Sequence, residues 1–154
     1  MKKLMYFIIS IFIVSCSSVE NETSEPTFTK NSESKSISFI IDLKVNKESS
    51  ENLNAFVKEI TDNVLKTENF CSEYAYYISE DGASITLYEK YVDSDSAIKH
   101  GQNFIASSFF DRFFNLFTLN KFIVTGPASD EFKKFTAENG FIIEYRNSID
   151  GFVR

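Results

Sequence analysis

Residues 37–64 read ISFIIDLKVNKESSENLNAFVKEITDNV, a strand pattern followed directly by a helix pattern. Over residues 37–45 large apolar side chains occupy every second position, as expected of a strand with one buried face. Over residues 53–64 the apolar side chains recur at helical spacing, which predicts an amphipathic helix with Ser49 or Ser50 as its N-cap. The first unit of the folded chain is therefore a strand and the helix that covers it.

The sequence that follows contains two further strand patterns joined by turn residues. We predict strands over residues 70–78 and 85–91, and Glu80-Asp81-Gly82 between them has the composition of a hairpin turn. A fourth strand is predicted over residues 121–125. The two strands therefore form an antiparallel pair, and a crossing segment leads to the fourth.

The crossing segment has the pattern of a helix. Asp93 or Ser94 is placed to cap it, and Ala97, Ile98 and His100 follow in its first turns. Because glycine destabilises a helix interior, we expect Gly101 to break or kink it before a second helical piece over residues 106–117. The complete order is βαββαβ, which predicts an α+β, ferredoxin-like domain over residues 36–126.

Residues 127–154 form a predicted C-terminal helix-strand extension. Ser129 can cap a helix whose first turn contains two acids, and Asn139-Gly140 can end it. A fifth strand is predicted over residues 141–145.

The N-terminus has the pattern of a secretory signal. Lys2 and Lys3 precede an apolar run over residues 4–14. A transmembrane helix is the alternative, but it needs about 20 apolar residues, and this run is too short.

The residues Ile13-Val14-Ser15-Cys16 resemble the lipobox of bacterial lipoproteins. The resemblance implies that residues 1–15 are removed and that Cys16 carries the lipid. Residues 16–35 would then be a disordered tether, because they contain too few large apolar side chains to fold. We expect a protein anchored in the bacterial cell envelope outside the cytoplasm, in the outer or the cytoplasmic membrane.

Composition excludes two classes of function. The chain has 154 residues, with 16 Lys and Arg against 22 Asp and Glu. Loss of Lys2 and Lys3 with the signal would leave 14 basic residues against 22 acidic ones. A surface this acidic is repelled by phosphate, so we expect no nucleic-acid partner. Two cysteines and one histidine are too few for a structural zinc site, so we expect no metal.

Over about residues 37–125 the chain resembles the antibiotic biosynthesis monooxygenase family. The matching residues are Phe70-Cys71, Tyr74, Tyr77, Leu87-Tyr88-Glu89-Lys90-Tyr91, Asp93, Ala97 and His100. The resemblance implies a homodimer in which two sheets join as a dimeric α/β barrel, with a pocket between each sheet and its helices.

The resemblance also implies cofactor-independent oxygenation of a quinol or polyphenol-like aromatic, with His100 as the base or orienting residue. Tyr91 and Tyr74 would hydrogen-bond the oxygen atoms of this small aromatic ligand. Glu89 shares a strand face with apolar residues, so we expect a buried carboxyl with a raised pKa or a partner, and we assign it to the same catalytic set.

A Phe-rich stretch over residues 104–117 includes Phe109 and Phe113 on one helical stripe. Burial in the core and a dimer interface is the favoured interpretation. The alternatives are an apolar wall for a flat ligand, with Phe109 and Phe113 as substrate-binding residues, and a membrane-dipping helix, which lacks the expected Lys and Arg.

Some residues depart from the family pattern. The chain has no Trp, and Tyr91 stands where the family usually has one, which disfavours the haem-degrading branch. His100 can equally be structural, and Cys71 is more typical of a small buried residue than of a nucleophile. Two hypotheses therefore stay open: an oxygenase, and a non-catalytic ligand-binding or structural lipoprotein that retains the fold.

Overall fold

The computed structural model describes residues 27–153. Its strands are β1 (Thr29–Lys30), β2 (Ile37–Val45), β3 (Cys71–Ile78), β4 (Ser84–Tyr91), β5 (Phe117–Thr125), β6 (Glu144–Arg146) and β7 (Phe152–Val153). Its helices are α1 (Leu53–Thr67), α2 (Ser94–Ala106), α3 (Phe109–Leu116) and α4 (Asp130–Glu138), and a 3₁₀ turn spans Asn31–Glu33.

The main sheet has five strands in the order β3-β4-β2-β5-β6. Neighbours among the first four are antiparallel, so that Phe39 of β2 lies opposite Glu89 of β4 and Val124 of β5. Strand β6 adds to the edge in parallel with β5. The arrangement of β2 to β5 is that of a ferredoxin-like domain, and the predicted α+β fold is confirmed.

One face of this sheet forms the core beneath the helices. Alternate residues of the central strands point into it, namely Ile37, Phe39, Ile41, Leu43, Ile85, Leu87, Glu89 and Tyr91. Every second residue is buried because successive side chains of a strand point to opposite faces. Because Glu89 occupies one of these alternate positions, its side chain lies on the apolar face.

Helix α1 begins later than its predicted cap. The side chain of Asn52 accepts a hydrogen bond from the backbone N–H of Ala55 and is the N-cap. The prediction of Ser49 or Ser50 was wrong. The hydroxyl of Ser49 instead accepts a hydrogen bond from the backbone N–H of Glu51, which stabilises the turn before the helix.

Helix α2 runs through Gly101 without a break, so the predicted interruption at this position was wrong. The helix ends at Ala106 with Ser107 as its C-cap, and the break before the second helical piece, α3, falls at residues 107–108. A Cβ atom on Gly101 would lie 2.6 Å from Cε1 of Phe135 on α4. The glycine therefore permits a close helix approach and does not mark a helix end.

The C-terminal extension packs against the domain much as predicted. Ser129 accepts a hydrogen bond from the N–H of Phe132 and caps α4. Phe132 is buried in the core, and Gly140 adopts a positive φ just after the helix. The last strand of the sheet is β6, which starts three residues later than the predicted strand at residue 141.

The predicted tether, residues 16–35, is described only from residue 27 onward. Within that part β1 pairs with β7 in an antiparallel ladder, and the N–H of Asn31 donates to the carbonyl of Gly151. Ordered backbone therefore begins before residue 36. The predicted signal over residues 1–15 and the lipidated Cys16 lie outside the described residues. Within residues 27–153 no helix is long and apolar enough to cross a membrane.

Candidate functional site

His100 lies on the face of α2 that packs on the sheet. It is 7% exposed, and its ring centre is 5.1 Å from that of Tyr91 and 6.0 Å from that of Tyr74. The ring of Phe104, one turn further along α2, lies nearly parallel to it. Aromatic rings on several sides fix the orientation of the imidazole.

Both ring nitrogens of His100 face carboxyl groups. Nδ1 lies 2.8 Å from Oε2 of Glu68, within hydrogen-bond distance. Nε2 lies 3.6 Å from Oε2 of Glu89, which is too long for a hydrogen bond and short enough for a strong electrostatic interaction. All three side chains are buried, so they form one row that we call the Glu68–His100–Glu89 array.

Glu68 was not among the residues predicted from the sequence. It is the C-cap of α1, and its Oε1 accepts a hydrogen bond from the side-chain amide of Asn103 at 2.9 Å. It continues the buried stripe of Phe56, Ile60 and Val64 at intervals of four residues. That spacing was the local signal that could have identified it.

Glu89 and Tyr91 were predicted as catalytic residues, and both are buried on the core face of β4. The Tyr91 hydroxyl donates a hydrogen bond of 2.7 Å to Oε2 of Glu89. Residues two apart on a strand share a face, which makes this contact geometrically natural. Tyr91 therefore contacts the carboxyl that faces His100.

Burial and neighbouring charges oppose each other across the array. Burial raises the pKa of Glu89 and outweighs the lowering by His100 and by the Tyr91 hydrogen bond. Burial alone would raise the pKa of Glu68, but the hydrogen bond and charge of His100 lower it below its usual value. Burial would lower the pKa of His100, and the two carboxylates reverse this and raise it.

These directions indicate where protons are favoured in the array. The lowered pKa of Glu68 favours its carboxylate as an acceptor for Nδ1–H, and the raised pKa values of Glu89 and His100 favour a proton held by that pair. The pair is thus able to give or take a proton at the surface that it shares with a cavity.

A cavity of about 70 Å³ lies between the sheet and helices α2 to α4. His100, Glu89 and Tyr74 form its polar and aromatic wall, and the remaining lining is mainly Phe side chains. Phe113 lines this cavity and is also part of the buried core. Tyr91 contributes through Glu89, since it is not one of the lining residues.

A second cleft of about 340 Å³ lies on the other side of His100, between α1 and α2. It is lined by Glu68, Asn103 and Ser107 together with apolar residues of α1. Phe109 lines this cleft and not the smaller cavity, which differs from its predicted place beside Phe113. His100 and Phe104 line both spaces and separate them.

Two further residues singled out in the sequence occupy the same region. The hydroxyl of Tyr74 lies 3.1 Å from that of Tyr76, and burial raises the pKa of Tyr74 well above its usual range. Burial raises the pKa of the Cys71 thiol to about 11, so it stays protonated at neutral pH. Within residues 27–153 no group of three His, Cys, Asp or Glu side chains is arranged to hold a metal ion.

Comparison with known proteins identifies the fold. No family model and no curated protein matches the sequence. MupZ from Pseudomonas fluorescens superposes with a TM-score of 0.64 at 18% identity, over 78% of this chain and 95% of MupZ. A Bacteroides thetaiotaomicron protein of unknown function, described as a possible oxidoreductase, gives a TM-score of 0.50 at 19% identity, over 58% of this chain and 95% of that one.

The structural neighbours also include a Chloroflexus aurantiacus protein proposed to be an antibiotic biosynthesis monooxygenase. It has a TM-score of 0.49 and 11% identity and matches 61% of this chain and 94% of its own. The superposition on MupZ shows a shared fold, and identities this low carry no assignment of reaction or substrate.

Proposed function

We propose that this chain is a lipid-anchored envelope protein whose domain oxygenates a small quinol or polyphenol-like aromatic without a cofactor. The observation that carries the proposal is the buried His100–Glu89 pair in the wall of an apolar cavity. An acid–base pair beside Phe side chains suits a ligand with a flat ring and an acidic hydroxyl group.

In this proposal the first step is removal of a proton from the ligand hydroxyl. Glu89 or Nε2 of His100 accepts the proton, and Tyr91 holds the Glu89 carboxyl in place. Tyr74 would donate a hydrogen bond to a second ligand oxygen, because burial keeps its phenol protonated. The surrounding Phe side chains exclude water from the cavity. They also favour transfer of the uncharged aromatic ring from bulk solvent into it.

The phenolate is electron-rich enough to reduce O₂ itself. One oxygen atom of O₂ enters the ring and the other leaves as water, so the quinol supplies all four electrons and becomes a hydroxyquinone. The protein's part is to remove the proton, orient the ring and exclude water. The chain has no Trp, and Tyr91 occupies the end of β4, where its hydroxyl donates a hydrogen bond to Glu89.

Two associations belong to the same proposal. Lipidated Cys16 would anchor the chain to a membrane of the envelope, near lipophilic quinols. The sheet face opposite the helices, with half-buried Ile40 and Tyr88, would pack on a second copy to form a homodimer. Light scattering of the mature chain tests the dimer, and mass spectrometry of the N-terminal peptide tests the lipid.

The experiment for the reaction is oxygen uptake by the mature chain, measured with a panel of simple quinols and polyphenols. We expect uptake with at least one compound and its loss in His100→Gln, which preserves the size and polarity of the side chain. Asp95→Asn, an exposed change on the same helix, is the matched control. Equal uptake in the wild type and His100→Gln would contradict the proposal.

The small volume of the cavity favours a second candidate function, that of a non-catalytic lipoprotein that retains the fold. At about 70 Å³ it is roughly half of the ~150 Å³ that an engineered apolar cavity offers to benzene. Lining side chains must therefore move before a ring can enter, and Phe114, which is 40% exposed, is the lining residue with the most exposed position. A structural lipoprotein would show neither a shift of the His100 NMR signal on anaerobic addition of a quinol nor oxygen uptake in air. A ligand-binding lipoprotein would show a saturable shift and no uptake.

A further inference from the structure

We propose that Glu68 is a positioning residue that carries protons between the buried His100–Glu89 pair and solvent through the second cleft. The biological use of this route rests on the proposed function. The inference adds a residue that was not predicted from the sequence. It also assigns a role to the second cleft, the larger of the two spaces around His100.

The geometry places the two nitrogens of one imidazole toward two different spaces. Nε2 faces Glu89 in the wall of the Phe-lined cavity, and Nδ1 contacts Glu68 in the wall of the second cleft. The imidazole therefore lies between the Phe-lined cavity and the second cleft. A proton that reaches Nε2 can therefore leave from Nδ1 without any movement of the ring through the core.

The apolar side offers a poor exit for a proton. Thr136 is another polar residue in the cavity wall, and its hydroxyl already donates a hydrogen bond to the carbonyl of Lys133 and is hydrogen-bonded to the hydroxyl of Tyr145. Tyr74 is engaged with Tyr76. Of the groups that the structure describes there, His100 is the one in contact with a carboxylate on the far side.

Each step of the relay conserves protons and charge. A proton passes from Glu89 or from the ligand hydroxyl to Nε2, once the 3.6 Å separation closes to about 3.0 Å. The Nδ1 proton passes to Oε2 of Glu68 along the existing hydrogen bond, and the imidazole changes tautomer. Glu68 then releases its proton to water in the cleft. The imidazole returns to its first tautomer when Nε2–H passes to the oxygen atom that leaves as water and a proton from water in the cleft reaches Nδ1 through Glu68.

Asn103 fixes the direction of this carboxylate. Its amide donates to Oε1 of Glu68, which leaves Oε2 aimed at Nδ1. Besides its own members, the titratable and charged groups that face the array are Lys99 on α2, Cys71, Tyr74 and Tyr76 on β3, and Tyr91 on β4. The side chains of α3 nearest to it are phenylalanines.

The test uses the single histidine of the chain, whose imidazole NMR signals need no assignment in tag-free mature protein. Glu68→Gln retains an acceptor for Nδ1–H and removes the charge. We expect it to lower the pKa of His100 by about one to two pH units. Glu59→Gln, an exposed change on α1, is the matched control and should leave the titration unchanged. An unchanged His100 titration in Glu68→Gln would overturn the inference.

A second variant tests access from the cleft. In Glu68→Ala, added formate should raise the His100 pKa again as it occupies the vacated position beside Nδ1. Failure of formate to act on folded Glu68→Ala would overturn the route through the cleft. If that variant does not fold, the titration of Glu68→Gln decides.

Oxygen uptake separates the two proposals. Shifted titrations without uptake in any variant count against the proposed function alone. Full uptake in Glu68→Gln with an unshifted titration counts against the role of Glu68 alone.

Discussion

Replacement of Gly101 by alanine tests the helix packing that holds His100 in place. The new Cβ would meet Cε1 of Phe135 at 2.6 Å and Cζ at 3.0 Å. Unstrained carbon contacts lie near 3.5–4.0 Å, so the ring must move by about 1 Å. The neighbour is a half-buried side chain on α4, so the shift is costly but not prohibitive.

Two effects of opposite sign decide the stability of this variant. Alanine in place of glycine inside a helix stabilises it by about 1 kcal/mol. Overpacking of a fitted contact costs about 1–3 kcal/mol. We expect a net loss of roughly 1 kcal/mol in the free energy of unfolding, and a lower Tm by about 3–6 °C for a domain of this size.

Urea unfolding of the mature chain measures this loss, with two matched variants beside it. Gln102→Ala changes the exposed neighbouring position and should be neutral or slightly stabilising. Phe135→Leu removes the ring, so Gly101→Ala in that background should lose its cost and become stabilising. A gain of about 1 kcal/mol from Gly101→Ala alone would refute the packing explanation.

Three further results are expected. Phe113→Ala should enlarge the cavity and lower the free energy of unfolding by about 3–5 kcal/mol, because Phe113 is buried. Phe114→Ala, at a 40% exposed position, should lower it by under about 2 kcal/mol. Urea unfolding of both variants measures the difference. Tyr91→Phe should lower the free energy of unfolding by about 1–3 kcal/mol, because Glu89 loses a hydrogen-bond donor. This loss should be larger at high pH, where Glu89 is ionised, and unfolding measured at pH 6 and at pH 8.5 tests the difference. The pKa values of His100 and Glu89 are both raised, so the folded state holds more protons than the unfolded state. Stability should therefore decline as pH rises above about 6.5, through the raised pKa of His100, and a decline that is equally steep in His100→Gln would contradict this assignment.

The strands and the first helix were predictable because their signals are local. Alternation over residues 37–45 and helical spacing over residues 53–64 reflect which side chains face the core, and tertiary packing retains both patterns. Gly101 was misread because the residue that requires it, Phe135, lies on another helix. A contact between helices distant in sequence leaves no periodic signal in one chain.

The candidate site was predictable only in part, for a similar reason. Glu89 was predicted as buried from its strand face, and the structure confirms that burial. Glu68 follows the last turn of a helix, where a glutamate is usually exposed to solvent. The spacing from Phe56, Ile60 and Val64 places Glu68 on the buried stripe, but its contact with His100 depends on how α1 packs beside α2, which that spacing does not show.

The central claim is that the His100–Glu89 pair performs proton transfer during oxygenation. Incubation of the mature chain with a reactive quinol under ¹⁸O₂, followed by mass spectrometry, tests it most directly. We predict one labelled oxygen atom in each hydroxyquinone and no product above background in His100→Gln. Labelled product formed at the same rate by folded His100→Gln, or no product from any quinol that binds beside His100, would contradict the claim.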